Sequence, residues 1–279
     1  MEKIACFHHN NITDELILMS DEPEVSGMRD YSSKAAYNKT AARGGVTTDL
    51  DTLINDQVII PEMLDILGHI AGHHVLDLAC GRGDLARRLA EYGAQVTAID
   101  IADEQVHFAR KREAREPKGI IYHFSDSSDL SMIEDTTFDE VVCHMALMDI
   151  ENLPGTITEA ARVIQLGGRF VFSIMHPCFL VLDNDMHPVA GGQQGLPEGC
   201  TYFDEGSRLM DLTVDGNQKA WMFHRTLATY INAVAARGFT IRRVAEPRPS
   251  KEVVSEHPDL EPYLHSPIAL IVEAVFPHD

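Results

Sequence analysis

Over the middle of the chain, short continuous apolar runs alternate with helical stripes. His74–Ala79 is an apolar run of strand length. From Asp84 to Tyr92 the apolar residues fall at Leu85, Leu89 and Tyr92, which is helical spacing, and Gly93 closes the helix. Gln95–Asp100 predicts a strand, Asp103–Arg115 a helix stopped by Pro117, Ile120–Phe124 a strand and Phe138–His144 another. Asn152–Gln165 predicts a helix with Pro154 in its first turn, and Arg169–Met175 a fifth strand. This alternation predicts a mostly parallel sheet with helices on both faces.

The flanks follow other rules. Residues 1–48 read as an N-terminal cap or extension that carries Tyr31 and Tyr37. Pro61–Leu67 predicts a short helix, with proline in its first turn and Gly68 past its end. Residues 177–219 are rich in glycine and proline and lack periodicity, so they read as a lid-like insertion after the fifth strand. Trp221–Arg225 then predicts a strand, and Thr226–Arg237 a helix with Leu227, Ile231 and Val234 on one face. Phe239–Ala245 and Ile268–Phe276 predict two more strands. The last is apolar on both faces except at Glu273, as in a central strand. Residues 49–279 are thus expected to form one domain.

Charge narrows the partners. The 279 residues hold 23 Lys and Arg against 43 Asp and Glu, a net charge of −20. Phosphate-rich partners need basic patches, so nucleic acid and anionic membrane are excluded as expected partners. Five cysteines form no CxxC pair, and the first ten residues do not resemble a secretory signal. No apolar run reaches the ~20 residues of a membrane helix. A cytoplasmic protein with reduced thiols is expected, as a monomer or homodimer. His8, His9, His69, His73 and His74 lack fixed-spacing carboxylate or thiol partners, so they read as surface residues and no metal is expected.

The chemistry concentrates in Val75–Gly83. A strand ends in a tight turn whose small residues, Ala79, Gly81 and Gly83, let the backbone approach a ligand at a helix N-terminus. Asp100 closes the next strand, where a carboxylate can accept from both hydroxyls of a ribose. Gly81–Ala86 also fits the loose dinucleotide pattern G-x-G-x-x-G/A, so an NAD(P)-dependent oxidoreductase is an alternative. Asp77 opposes that alternative. It sits inside the first strand, where it would repel a pyrophosphate but not a cationic ligand. Asp126, after the third strand, supplies a further carboxylate, and Leu166–Phe170 forms a turn before the fifth strand.

With these residues the chain resembles the class I S-adenosylmethionine-dependent methyltransferases, small-molecule branch. The matches are Val75–Gly83, Thr97–Ala102, Ser125–Ser127, Phe138–Met145 and Leu166–Phe172. The resemblance implies a seven-stranded Rossmann-like sheet whose last strand is antiparallel, with S-adenosylmethionine across its C-terminal edge. It implies that Gly81 and Gly83 cradle the methionine part, with Asp77 and Ala79 in the same Val75–Gly83 segment. Asp100 would hold the ribose, Ile101 would pack on adenine, and Asp126 between Ser125 and Ser127 would bind the adenine amino group. His144 and Met145 would border the methyl group, and Tyr31 and Tyr37 would close over the site.

The expected reaction is methyl transfer to a nitrogen or oxygen of a small metabolite, releasing S-adenosylhomocysteine. A non-catalytic cofactor-binding module is a further alternative. No Pro-Pro follows the fourth strand, as it does in amino-methylating enzymes of nucleic acids, and Pro177-Cys178 reads as structural. Because the sulfonium methyl is already electrophilic, the protein must align the acceptor and exclude water. A base is needed only for a protonated acceptor, and His176, His144 and His224 are the candidates. Arg225 and Glu246 are candidates for a charged acceptor or for an ion pair.

Overall fold

In the computed structural model, residues 32–42, 49–179, 201–211 and 219–278 are described. Seven strands form one sheet: β1 (His74–Leu78), β2 (Gln95–Asp100), β3 (Ile121–Phe124), β4 (Phe138–His144), β5 (Ile164–Met175), β8 (Thr240–Ala245) and β9 (Ala269–Val275). Their order is β3-β2-β1-β4-β5-β9-β8. The pairings from β3 to β5 are parallel, and β9 runs antiparallel between β5 and β8. This is the expected α/β fold of mostly parallel strands with its last strand reversed.

Helices cover both faces because the strands are apolar on both. One layer joins α2 (Asp49–Ile54), α3 (Ile60–Leu67), α4 (Asp84–Glu91) and α5 (Asp103–Arg115) to the sheet through buried Ile54, Met63, Leu67, Leu89 and Val106. The other uses α6 (Leu153–Val163) and α7 (Leu227–Ala235), with Leu153, Ile157, Val163 and Val234 buried. Each such side chain contributes about 1.5–3 kcal/mol on burial.

Three expectations change. The helix expected over Asn152–Gln165 starts at Leu153, where the Asn152 side chain caps the Gly155 N–H at 3.0 Å, and ends at Val163. Ile164 is already extended and begins β5, so the Gly167-Gly168 turn lies inside a long irregular strand. The short helix expected at Pro61 is the second half of a longer one that starts at Asp49 and passes through a π-helical turn at Asn55–Ile59. The strand expected at Trp221 is β7 (Lys219–His224), and it stays out of the main sheet. It pairs antiparallel with β6 (Gly206–Asp211), which lies inside the segment read as lacking periodicity. A short helix, α8 (Lys251–Glu256), and a 3-10 stretch, Pro258–Leu264, were not foreseen.

The lower, N-terminal edge of the parallel strands is held by charge. Arg169 donates to Glu140 through Nε at 3.1 Å and Nη2 at 2.6 Å, and to Glu273 through Nη1 at 3.3 Å. The same guanidinium caps the carbonyls of Ile66 and Leu67 at the end of α3. This accounts for the lone carboxylate in the otherwise apolar β9.

Candidate functional site

The site lies at the opposite edge, where β1, β2, β4 and β5 end. β1 runs straight into a turn with three left-handed residues, Ala79 (φ 57°), Gly81 (φ 54°) and Gly83 (φ 80°). Gly83 has no room for a side chain, since a Cβ there would stand 2.4 Å from the Tyr122 hydroxyl. At Gly81 a Cβ would meet nothing within 4 Å, so the turn opens onto free space. α4 begins at once behind it and points its N-terminus at the turn.

Two carboxylates lie beneath this turn. Asp100 takes the Gly81 N–H on Oδ2 at 2.7 Å and the Ala102 N–H on Oδ1 at 2.8 Å, and burial raises its pKa. Asp77 is 1% exposed and its Oδ2 has no hydrogen-bond partner. Burial, with the Asp100 charge nearby, pushes its carboxyl up to about 8. A buried carboxyl oxygen without a donor is costly, and a cation in the space above the turn would relieve that cost.

The third-strand residues divide. Ser125 donates to the Asp129 carbonyl at 2.9 Å, and Asp126 is exposed, with Oδ1 accepting from the Ser128 N–H and hydroxyl at 2.8 Å each. Ser127 is buried and its hydroxyl meets Thr156 of α6 at 3.0 Å, so this side chain is spent on the fold. Ile101 is half-buried at the end of β2.

His144 ends β4, and Met145 follows with a left-handed φ of 49°. The His144 Nδ1 lies 2.8 Å from the Ser173 hydroxyl, which also accepts the Met145 N–H at 3.0 Å. Burial lowers the His144 pKa to about 4, so the ring is neutral near pH 7.

The first helix, α1 (Ser33–Ala42), crosses this edge. On one side Asn38 donates to Asp103 at 2.6 Å and accepts the Glu104 N–H at 3.0 Å, both in the first turn of α5. On the other, Tyr37 donates to Asp149 at 2.7 Å, and Ser33 donates to the Asp149 carbonyl. Since β1 lies between β2 and β4, these two anchorages make α1 straddle the end of β1. Asp149 is pushed up to about 7 by burial, against the Tyr37 hydrogen bond and the Arg225 charge, which lower it. Nothing in the sequence distinguished Asp149, which acts only through neighbours that the fold supplies. Tyr31 lies outside the described residues.

The remaining candidates sit farther along the edge. His176 is buried after β5, with Nε2 2.9 Å from Glu246. His224 is buried at the end of β7 and donates Nε2–H to the Tyr202 carbonyl at 2.9 Å; burial lowers its pKa. Arg225 is committed to the carbonyls of Leu147, Ile150 and Glu151, and so braces the turn that carries Asp149. The Cys80 thiol is pushed up by burial, as suits a small turn residue. Among the described residues no group of three or more His, Cys, Asp or Glu is placed to hold a metal. Among them, too, no helix is long and apolar enough to cross a membrane.

Residues 76–172 match the family model described as "Methyltransferase domain". The chain is 30% identical to an S-adenosylmethionine-dependent methyltransferase from Mesorhizobium loti, whose crystal structure superposes with a TM-score of 0.63. That match covers 77% of this chain and 96% of the other. It is 35% identical over 107 residues to a ubiquinone biosynthesis O-methyltransferase of Xanthomonas oryzae pv. oryzae, covering 38% of this chain and 45% of that one. It is also 35% identical over 154 residues to a demethylmenaquinone methyltransferase of Tropheryma whipplei, covering 55% and 63%. The chain therefore spans about half the length of the curated relatives it matches.

Proposed function

Because the chain belongs to the S-adenosylmethionine-dependent methyltransferase family, we propose that it transfers a methyl group from S-adenosylmethionine to a nitrogen or oxygen of a small molecule. S-adenosylhomocysteine is the second product. The observation that carries the reading is the buried Asp77–Asp100 pair under an open glycine turn. The donor is cationic at both its sulfonium and its ammonium, so it supplies the positive charge that this acidic cradle lacks.

The residues divide the work. Gly81 and Gly83 give the donor room along the backbone, and Asp100 accepts from the ribose hydroxyls with the lone pairs its backbone bonds leave free. Asp126 has an oxygen left for the adenine amino group, while Ser127 contributes to the fold. His144 and Met145 border the transferred methyl. The donor carries the electrophilic methyl, so the protein's tasks are alignment and exclusion of water, to which α1 contributes by covering the end of β1.

A small acceptor is supported by the net charge of −20 and by relatives named for quinone biosynthesis. The oxidoreductase alternative has no support left, because a pyrophosphate would meet Asp77. Calorimetry with S-adenosylmethionine and S-adenosylhomocysteine tests the reading, and binding of neither would sink it. Incubating a metabolite extract with labelled donor then separates an enzyme from a silent binding module.

A further inference from the structure

We propose that His176 takes the proton of the methyl acceptor on Nδ1, and that Glu246 is the positioning residue that fixes the ring for this task. The proposal rests on the methyltransferase reading and specifies its acceptor class, a hydroxyl or a protonated amine.

The argument is one of hydrogen-bond satisfaction. A carboxylate only accepts, so the 2.9 Å contact between His176 Nε2 and Glu246 Oε1 places the imidazole proton on Nε2. Nδ1 then carries a bare lone pair. It is fully buried and has no partner. His176 as a whole is 4% exposed, and Phe179 packs edge-on against it at 4.9 Å, so the ring is held on two sides. The backbone is fixed as well, because the His176 N–H donates to the Ile268 carbonyl at 2.9 Å. A rigid, buried acceptor without a donor is costly to the fold, and a ligand proton would satisfy it.

Position supports this role. β5 runs parallel to β4, and Ser173 lies opposite His144 in register. His176 follows three residues later, roughly 10 Å beyond His144 along the strand direction, on the edge that carries the glycine turn. His144 rests its Nδ1 on the Ser173 hydroxyl, and His176 presents a lone pair from Nδ1. A protonated amine gives its proton to His176 Nδ1 first, which frees the nitrogen lone pair, whereas a hydroxyl gives it as the oxygen bonds to the methyl carbon. In both cases the sulfur keeps the electrons of the broken S–C bond, and Glu246 balances the imidazolium before that proton leaves to water.

Long-range proton–nitrogen NMR on ligand-free protein with 15N-labelled histidine tests the assignment without turnover, using His176→Gln to identify the signals. The expected result is an Nε2–H tautomer for His176 that loses its preference in Glu246→Gln. An Nδ1–H tautomer overturns the proposal. Turnover of labelled donor on a panel of phenols and primary amines gives the second readout. His176→Gln should lower kcat by about 10²–10⁴-fold with donor affinity unchanged in calorimetry. Glu246→Gln should lower kcat about tenfold with KM unchanged, and Glu246→Asp should recover most of it. Wild-type kcat in His176→Gln, or methylation confined to tertiary amines and thioethers, overturns the proposal. Failure of the wild-type protein to bind donor would instead remove the methyltransferase reading, while the NMR result stands by itself.

Discussion

The two edges of the sheet bury charge in opposite ways. At the N-terminal edge Glu140 and Glu273 share Arg169, and the guanidinium also satisfies the end of α3. At the C-terminal edge Asp77 and Asp100 lie close together, supported only by backbone N–H groups, and Asp77 keeps an oxygen without a partner. The first arrangement carries its own cation and serves the fold, although Glu140 Oε2 also lacks a hydrogen-bond partner. In the second, the hydrogen bonds to Asp100 come from backbone N–H groups, and a cationic ligand would suit it.

Breaking the first edge should have the largest effect. Arg169→Met leaves Glu140 to His73 at 3.3 Å and Glu273 to Arg242 at 3.7 Å, and should cost about 3–5 kcal/mol in denaturant unfolding, without changing donor affinity in the protein that remains folded. A loss under 1 kcal/mol would mean that the network is not a unit. At the second edge, Asp100→Ala should weaken donor binding by about 1.5–3 kcal/mol in calorimetry. Unchanged affinity would remove the ribose assignment.

Proton linkage sharpens the contrast. Asp77 holds its proton up to about 8 in the folded protein, against an ordinary 3.8, so the folded state binds more protons than the unfolded chain between these values. Its effect is to reduce stability as pH rises through that window. Asp149, at about 7, acts in the same direction, whereas His144, lowered to about 4, acts in the opposite one up to its ordinary 6.5. The clearest interval is therefore pH 6.5–8, where thermal midpoints of the ligand-free protein should fall. Asp77→Asn should flatten that fall, and saturating donor should suppress it. A slope unchanged by Asp77→Asn would refute the burial argument. The smallest expected effect is at α1. Tyr37→Phe removes one hydrogen bond to Asp149, worth about 0.5–1.5 kcal/mol, and should speed donor dissociation several-fold in stopped flow.

The strands and helices of the parallel half were legible because each carries its own period. Gln95–Asp100, Asp103–Arg115 and Phe138–His144 lie where the pattern puts them. Boundaries failed where backbone geometry decided. Ile164 and Gln165 continue the helical pattern of α6, yet the pairing of Ile164 with Phe138 draws the chain into the sheet. β6 was hidden because a two-stranded ribbon buries too little to impose alternation. At the site, Asp77, Gly81, Gly83 and Asp100 were readable as a spaced motif. Glu246 was visible only as a charge of uncertain use, since its partner is 70 residues away in the chain. The place of Ser127 in the motif likewise does not reveal that Thr156 stands behind it.

The β6–β7 ribbon exchanges hydrogen bonds with no strand of the main sheet. Its amides therefore have a route to solvent that leaves β1, β4 and β5 closed. Native-state deuterium uptake should divide the molecule into a slow central sheet and a faster ribbon, joined through Met222 in the core. Variation in the ribbon, on that account, can accumulate with little penalty to the folding of the sheet.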